Sequence, residues 1–291
     1  MTDTLILSGK DVSSAVYEDL KGRISSLRSK KIVPGLAVIL VGDDSASQVY
    51  VKSKTRTFNR LSLYTKTIRL LSDISEEELL DHIRNLNIDN EFHGILVQLP
   101  LPKHIDTHQI IRTIDPKKDV DGFHPENAGL LSIGKPRFIP CTPKGIMRIL
   151  KHYEIDLYEK HIVVIGRSNI VGRPISILTS LKESGTNGTT TICHSGTPDI
   201  KKFTLTADVV VVALGVPNFL SSSMLKNDSI IIDVGINRIE ADNDKGYKLV
   251  GDADWSDILT KASAATPVPG GVGPMTIAML VENTIEAAEN S

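Results

Sequence analysis

Two side chains near residue 50 have types and a spacing that could carry chemistry. Tyr50 and Lys54 are four residues apart, so on a helix they lie on one face. An aromatic ring and an ammonium group can then line the same wall of a ligand site. The ordinary alternative is a solvated basic helix face, because Lys52, Arg56 and Arg60 lie in the same stretch.

A polar amide lies at the end of the third predicted strand. Gln98 ends a buried apolar run and precedes the Pro100-Leu101-Pro102 turn. Ligands of open α/β sheets bind at this end of the strands, so Gln98 is a candidate ligand-binding residue. A strand-end glutamine that bonds only to a loop backbone is the alternative.

Two aspartates could form a metal site or the edge of a polar pocket. Asp119 and Asp121 flank Val120 directly before Gly122. No Asp, Glu or His partner at metal-loop spacing follows, so the pattern disfavours a metal. The ordinary alternative is an Asp-Gly turn with a solvated flank.

Residues 161–174 predict a strand, a tight turn and a helix. His161–Ile165 is a continuous apolar run that is typical of a strand buried on both faces. The turn at Gly166, Arg167 and Ser168 lies where a helix N-terminus could bind a dinucleotide pyrophosphate. The next glycine is Gly172, which does not match the G-x-G-x-x-G spacing. A turn without a ligand is therefore the alternative.

The following strand indicates which dinucleotide would bind. In NAD-binding proteins, an acidic residue about 20 residues after the glycine turn binds the ribose 2′-hydroxyl. Here the strand ends at Cys193, and His194 and Ser195 stand in place of the acid. With Arg167 at the glycine turn, a 2′-phosphate would meet donors and no repelling carboxylate, which favours NADP. A strand-end role for His194 without a ligand is the alternative.

Residues 266–276 combine prolines and glycines before the last predicted helix. Gly270, Gly271 and Gly273 allow the backbone to approach a planar ligand closely. A tight helix cap is the alternative, but the Pro/Gly density favours a binding loop. Cys141 has no adjacent histidine, so a small buried side chain is favoured over a nucleophile.

An alternation of strands and helices must position these side chains. The pattern predicts helices over about 11–29 and 46–61 and after Ser75, with strands over 36–41, 64–70 and 94–99. Further strands are predicted over 189–193, 208–214 and 230–234, after the one at 161–165. Such alternation indicates parallel, three-layer α/β units.

The composition is that of an ordinary globular protein. The chain has 291 residues, enough for one large or two medium domains, and a formal net charge of −2. Nothing in this charge favours a nucleic-acid or membrane surface. Two cysteines do not form a disulfide framework, so a reducing compartment, by default the cytoplasm, is expected. We find no signal peptide and no run long enough to span a bilayer.

Together, the motifs resemble those of the methylenetetrahydrofolate dehydrogenase/cyclohydrolase family. They occur in the family's order between about residues 42 and 284. The set comprises Tyr50-x-x-x-Lys54, Val97-Gln98-Leu99-Pro100-Leu101-Pro102, and residues 118–122, 140–145, 166–174 and 266–276. No single motif is specific, but the ordered set is.

The resemblance implies a fold of two three-layer α/β/α domains. Residues 1–141 and 274–291 would form the N-terminal folate-binding, catalytic domain, closed by the C-terminal helix. Residues 142–273 would form a Rossmann-like NADP-binding domain. The resemblance further implies an active site in the cleft between them and a homodimer formed through the nucleotide domain.

The resemblance also implies an activity in one-carbon metabolism. 5,10-Methylenetetrahydrofolate would be oxidised by NADP to the methenyl form and then hydrolysed to 10-formyltetrahydrofolate. Lys54 would transfer protons in the hydrolysis, Gln98 would orient it, Asp121 would bind the pterin's donor edge and Tyr50 would stack on the folate. The implied substrate-binding residues are Tyr50, Lys54, Val97, Gln98, Leu99, Asp121, Pro269, Gly270, Gly271, Val272 and Gly273. The implied NADP contacts are Gly166, Arg167, Ser168, Ser195 and Ile236, and no metal is expected.

Two other functions are compatible with parts of this pattern. One is a dehydrogenase without hydrolase activity, against which the presence of Lys54 and Gln98 argues. The other is a non-enzymatic NADP-binding regulator, in which an intact set of Tyr50, Lys54, Gln98 and Asp121 would be unexpected.

Overall fold

The computed structural model describes residues 4–243 and 246–291. Within them, the strands are β1 (Leu5–Ile6), β2 (Gly35–Val41), β3 (Tyr64–Leu70), β4 (Gly94–Val97), β5 (His161–Ile165), β6 (Thr189–Cys193), β7 (Val209–Val212), β8 (Ile230–Asp233), β9 (Asn237–Glu240), β10 (Tyr247–Val250) and β11 (Ala264–Ala265). The helices are α1 (Gly9–Ser29), α2 (Ser45–Arg60), α3 (Glu76–Ile88), α4 (Thr107–Thr113), α5 (Pro125–Ser132), α6 (Cys141–His152), α7 (Gly172–Ser180), α8 (Lys201–Thr204), α9 (Trp255–Ile258) and α10 (Val272–Glu289). None of these helices combines the length and apolarity needed to cross a membrane.

One compact unit, here called the three-stranded unit, comprises Val16–Cys141 and Ile277–Ser291. Its sheet has the order β3-β2-β4, and both pairings are parallel. Every residue of the central strand β2 is buried. This burial explains the unbroken apolar run in the sequence, because a parallel strand covered on both faces has no solvent side.

Helix α3 shows how the sequence sets the packing of this unit. The Ser75 hydroxyl oxygen accepts a hydrogen bond from the Glu78 amide at 3.3 Å, and the Glu78 carboxylate accepts one from the Ser75 amide at 3.1 Å. Ser75 and Glu78 therefore form a capping box at the start of the helix. Behind it, Leu79, Leu80 and Ile83 are buried in the core against the sheet.

The other compact unit, here called the six-stranded unit, comprises the described residues up to Ala15 and Thr142–Thr276. Its sheet has the order β1-β11-β8-β7-β5-β6, and all five pairings are parallel. The chain moves outward from β5 to β6 and then crosses back to β7. The boundary between β5 and β7 is therefore the topological switch point, where α/β sheets bind ligands. The antiparallel pair β9–β10 is a separate two-stranded sheet.

The predicted α/β class with parallel sheets is confirmed, and the differences are local. The first residues were expected in the N-terminal domain, but β1 pairs with β11 and belongs to the six-stranded unit. Two-residue strands show no periodicity, so the sequence pattern could not reveal either of them. The predicted strand over 94–99 ends at Val97, so Gln98 is the first residue beyond it.

Candidate active site

Helix α2 directs Lys54 into the three-stranded unit. The helix begins after Asp44, whose carboxylate accepts a hydrogen bond from the Ser47 amide at 2.7 Å. Its buried face includes Val51, Lys54 and Phe58, which recur at helical spacing. Lys54 is consequently only 8% exposed. A buried lysine needs an acceptor, because an unpaired buried charge is costly.

Gln98 supplies that acceptor. The Lys54 Nζ donates a hydrogen bond to Gln98 Oε1 at 3.0 Å. Gln98 Nε2 donates in turn to the Leu99 carbonyl at 2.8 Å, so the amide's two ends are distinguished by their partners. Gln98 therefore bonds a loop carbonyl but not only that, since it also orients the lysine, and its role in ligand binding stays a prediction. Gln98 follows β4 directly, and its own amide donates to the Ile39 carbonyl at 2.9 Å.

Tyr50 lies one helical turn before Lys54. Tyr50 is 37% exposed, and the burial of the rest of the residue raises the pKa of its phenol. The solvated basic face exists, but it consists of Lys52, Arg56 and Arg60, which are exposed. For Lys54 that interpretation is wrong, because the helix turns its side chain towards Gln98.

Asp121 lies in a turn within the electrostatic reach of Lys54. Burial raises the pKa of the Asp121 carboxyl, while the charge of Lys54 and the Cys141 thiol favour its ionised form. The Cys141 Sγ donates to Asp121 Oδ1 at 3.5 Å. Cys141 is buried, as predicted, and it contacts the carboxylate of Asp121, a candidate substrate-binding residue. The three-stranded unit thus brings together an ammonium, an amide and a carboxylate.

The neighbouring Asp119 shapes the turn that carries Asp121. Asp119 is 1% exposed, and its carboxylate accepts hydrogen bonds from the amides of Phe123 and His124 at 3.2 and 2.7 Å. The Asn127 side chain donates to it at 2.8 Å. Burial raises the pKa of Asp119 to about 7, although these three donors oppose the shift. The solvated-flank interpretation of this aspartate is therefore wrong.

Asn283 is a residue of the site that the sequence analysis missed. It lies on α10 and donates from Nδ2 to the carbonyls of Val120 and Ile139 at 2.8 and 3.0 Å. These bonds connect the two segments on either side of the Asp121–Cys141 contact. The only available signal was an asparagine within an apolar helix, which does not indicate a partner.

The pKa of Asp119 leads to a prediction about stability and pH. In the folded protein this pKa is about 7, against an ordinary value of 3.8, so the folded state binds the proton more tightly. The stability that this provides is complete below about pH 4 and is lost as the pH rises through 7. Relative to Asp119→Asn, the parent's free energy of unfolding should fall by up to about 4 kcal/mol over this range, at about 1.4 kcal/mol per pKa unit.

Urea unfolding of both proteins at several pH values between 4 and 8 would measure this difference. Asp73→Asn, which changes an exposed aspartate of the same unit, should follow the parent at every pH. Parallel stability curves for the parent and Asp119→Asn would contradict the assignment.

The glycine turn after β5 is built by close backbone approach. Gly166 has φ +126°, and a Cβ there would overlap the Ala213 carbonyl oxygen at the end of β7. The Ser168 hydroxyl oxygen accepts from the amides of Val171 and Gly172 at 3.2 and 3.4 Å. Ser168 therefore occupies the first donors of α7, so a phosphate here would depend more on Arg167 than the sequence pattern suggested.

Two hydrogen-bond donors converge beside this turn. His194 Nδ1 accepts from the Gly196 amide at 3.0 Å, so in the neutral ring the proton is on Nε2. That Nε2 lies 3.4 Å from the Arg167 guanidinium, which can only donate. Two facing donors share no hydrogen bond with each other, but both can bond to an anion. Ser195 is exposed next to them.

The remaining predicted residues of the six-stranded unit lie in two loops. Ile236 follows β8 with its side chain 44% exposed. A Cβ built on Gly273 would lie 3.4 Å from Ile236 Cδ1, so the Pro/Gly loop reaches this side chain. In that loop Pro269 is exposed, while Gly271 and Val272 are buried. The Val268–Pro269 peptide is cis, as is Leu99–Pro100.

The predicted site residues are therefore divided between the two units. The three-stranded unit contains Tyr50, Lys54, Val97, Gln98, Leu99 and Asp121. The six-stranded unit contains Gly166, Arg167, Ser168, Ser195, Ile236 and residues 269–273. Among residues 4–243 and 246–291, no three His, Cys, Asp or Glu side chains cluster in a way that could hold a metal ion.

The fold and these sites define a two-unit α/β enzyme with a nucleotide-binding unit. Residues 7–121 match the model of the tetrahydrofolate dehydrogenase/cyclohydrolase catalytic domain. Residues 140–291 match the model of the NAD(P)-binding domain of the same family. The chain belongs to the tetrahydrofolate dehydrogenase/cyclohydrolase family.

Relatives match along nearly the whole chain. The bifunctional protein FolD of Chloroherpeton thalassium is 49% identical over 290 residues, which cover 98% of this chain and 99% of that protein. The structure of the bifunctional FolD methylenetetrahydrofolate dehydrogenase/cyclohydrolase from Campylobacter jejuni has a TM-score of 0.93, with 48% identity and 99% of each chain covered. The Trypanosoma brucei enzyme, solved with NADP and an inhibitor, has a TM-score of 0.94 at 33% identity and covers 100% of this chain and 99% of its own.

Proposed function

We propose that this protein oxidises 5,10-methylenetetrahydrofolate to 5,10-methenyltetrahydrofolate with NADP and hydrolyses the product to 10-formyltetrahydrofolate. The observation that carries the proposal is the buried Lys54–Gln98 hydrogen bond with Asp121 in the same unit. The family models and the bifunctional relatives support both halves of the reaction.

The oxidation requires positioning more than acid or base catalysis. The methylene carbon lies between two nitrogens whose lone pairs stabilise the cation formed when a hydride leaves. The hydride and its electron pair would pass to NADP, which the residues at the glycine turn of the six-stranded unit would hold. The protein's contribution is to hold the folate in a reactive orientation, which can account for much of the rate. Tyr50 supplies an aromatic face for stacking and Asp121 a carboxylate that can accept two N–H bonds from the pterin.

The hydrolysis moves protons and therefore requires Lys54. Water attacks the methenyl carbon, and both of its protons must leave the oxygen, which becomes the formyl carbonyl. One proton reaches the ring nitrogen whose bond to that carbon breaks, and the other is released. Lys54 Nζ can accept and return such a proton. Gln98 fixes the direction of Nζ without adding a charge, because its carbonyl oxygen accepts from the amine at 3.0 Å. This pair argues against a dehydrogenase without hydrolase activity.

The facing donors of the six-stranded unit support NADP rather than NAD. Arg167 and the His194 Nε2–H converge beside the exposed Ser195. The 2′-phosphate is the group that distinguishes NADP, and it would accept hydrogen bonds from these donors. No acidic residue occupies Cys193 to Thr197, where it would repel the phosphate.

An absorbance assay tests the proposed function. With 5,10-methylenetetrahydrofolate, the protein should form NADPH, and preformed methenyltetrahydrofolate should lose its absorbance at an enzyme-dependent rate. NAD run beside NADP should give a kcat/KM lower by about tenfold or more, because a charged hydrogen-bonding group is missing. NADPH formation without hydrolysis would leave only the dehydrogenase, and equal use of both cofactors would contradict the 2′-phosphate site.

We further propose that the enzyme acts in the cytoplasm as a homodimer. The two cysteines, Cys141 and Cys193, are both buried and form no disulfide with each other, which suits a reducing compartment. Strand β6 is an edge of the six-stranded sheet and exposes Ile192, so it offers a surface for a second copy. Sedimentation at micromolar concentration distinguishes the dimer from a monomer.

A further inference from the structure

Two buried carboxylates lie after strands of the six-stranded unit, outside the residues assigned above. Asp233 ends β8 and is 3% exposed, and Asp252 follows β10 and is 0% exposed. Burying a carboxylate is costly unless donors replace its water. The hydrogen bonds of these two groups therefore show which backbone segments they hold.

Asp252 connects the turn after β7 to the turn after β8. Its Oδ2 accepts from the amides of Leu214 and Gly215 at 2.6 and 2.9 Å. Its Oδ1 accepts from the Asn237 side chain at 2.8 Å. In a parallel sheet these turns lie at the carboxyl ends of adjacent strands, which is where ligands of such sheets bind.

Asp233 holds the backbone at Asp252 by hydrogen bonds. Its Oδ1 accepts from the amides of Gly235 and Asp252 at 2.9 and 3.0 Å. Its Oδ2 accepts from the Ala253 amide at 2.9 Å. The two carboxylates therefore act in series, since Asp233 fixes the backbone of the residue whose side chain holds the turns.

Two glycines make room for this arrangement in a reciprocal way. A Cβ added to Gly235 would overlap the Asp252 carboxylate, and one added to Gly251 would overlap the Asp233 carboxylate. Asp252 thus lies against Gly235, two residues after Asp233, and Asp233 lies against Gly251, which directly precedes Asp252. A side chain at either glycine would therefore displace the carboxylate that lies against it.

We propose that Asp252, supported by Asp233, is a positioning residue for the nicotinamide cofactor, acting through Ile236 and the turn at Gly215. The inference rests on the proposed function, which places a cofactor contact at Ile236. That exposed residue stands between Gly235, bonded to Asp233, and Asn237, bonded to Asp252. The two carboxylates therefore hold the residues on both sides of Ile236.

The two proposed reactions should respond differently if the cofactor is displaced from its position. Hydride transfer requires the donor and acceptor carbons to be within about 3.5 Å, and a shift of about 1 Å can cost 100-fold. Hydrolysis of methenyltetrahydrofolate uses water and Lys54 and involves no transfer to the cofactor. A substitution that disturbs only the turns that Asp252 holds should therefore lower hydride transfer and leave the hydrolysis largely unchanged.

Asp252→Asn tests this role, because it removes the negative charge that strengthens the hydrogen bonds from the Leu214 and Gly215 amides and replaces one accepting oxygen with a nitrogen that cannot accept. We expect the Kd for NADP, measured by calorimetry, to rise by about tenfold and the dehydrogenase kcat/KM to fall by about 10- to 100-fold. Hydrolysis of preformed methenyltetrahydrofolate should stay within about twofold of the parent. Asn237→Ala, which removes only the Oδ1 partner, should change the same quantities in the same direction by a smaller factor.

Asp208→Asn is the matched control. Asp208 also accepts a backbone hydrogen bond, from the His161 amide at 2.8 Å, but at the amino ends of the strands. It should leave the Kd for NADP and both activities unchanged. An unchanged Kd in both Asp252→Asn and Asn237→Ala, or an equal fall in both activities, would overturn the positioning role. Parent protein that binds NADP but oxidises no folate would refute the proposed reaction and leave the binding comparison valid.

Discussion

Lys54→Ala is expected to lose the conversion of methenyl- to 10-formyltetrahydrofolate while keeping substantial hydride transfer. The hydrolysis rate should fall by about 100-fold or more, which is the usual contribution of a positioned acid or base. The dehydrogenase rate should stay within about tenfold of the parent, since positioning provides that step. The change should appear mainly in kcat for the hydrolysis.

The reason lies in what the Lys54 ammonium can do in its buried position. Its hydrogen bond to Gln98 directs Nζ. Its positive charge also favours the ionised form of the nearby Asp121 carboxyl. Alanine removes the group that can carry the proton and leaves Gln98 without its donor. Oxidation of the methylene group involves no proton transfer, so it loses only the contact that Lys54 makes with the folate.

Lys52→Ala is the control for this experiment, because Lys52 is an exposed lysine on the same helix. Methenyl hydrolysis followed by its absorbance, beside NADPH formation, gives both rates for each variant. Hydrolysis at the parent rate in Lys54→Ala would show that another group transfers the proton. An equal loss of both activities would instead assign Lys54 to folate binding.

Asp121→Ala should weaken folate binding and lower both activities together. A carboxylate that accepts N–H bonds from a ligand contributes about 1.5–3 kcal/mol, so the affinity should fall by about 10- to 100-fold. The hydrogen bond from Cys141 and the turn fixed by Asp119 hold the carboxylate in place in the parent. Both kcat/KM values should decrease by a similar factor, because both substrates carry the same pterin edge.

Two further variants make this result specific. Asp121→Asn keeps one oxygen acceptor and should fall between the parent and alanine, whereas Asp73→Ala removes an exposed aspartate and should change nothing. Folate titration followed by fluorescence quenching provides the affinity. A fall confined to hydrolysis would show that Asp121 acts on Lys54 and not on the pterin, and parent-like affinity would exclude the pterin contact.

The regular elements could be predicted because their residues repeat. The alternation of apolar strands and amphipathic helices indicated parallel α/β units, and Ser75 with Glu78 marked the start of α3. The spacing of Tyr50 and Lys54 was visible, but not the face of α2 that turns inward. That face depends on Val51 and Phe58, which pack in the core and bring Lys54 with them.

The polar partners could not be predicted, because they are distant in sequence and follow no period. Asp119, Asp252 and Asn283 are buried in places where a pattern indicates only a turn or a helix. Each is stabilised by backbone groups whose positions depend on the folded sheet. The Ser168 hydroxyl likewise occupies the amides that the strand–turn–helix pattern offered to a phosphate.

The hydrogen bonds of Asn283 also have a consequence for the synthesis of the chain. The Asn283–Val120 bond joins residues that are 163 positions apart. At about 5–20 residues per second, the ribosome needs roughly ten to thirty seconds to travel that distance. During this interval the nascent chain already contains every strand of the three-stranded sheet but lacks the helix that bonds to the Asp121 turn. Completion of that turn must therefore wait until nearly the whole polypeptide has been made.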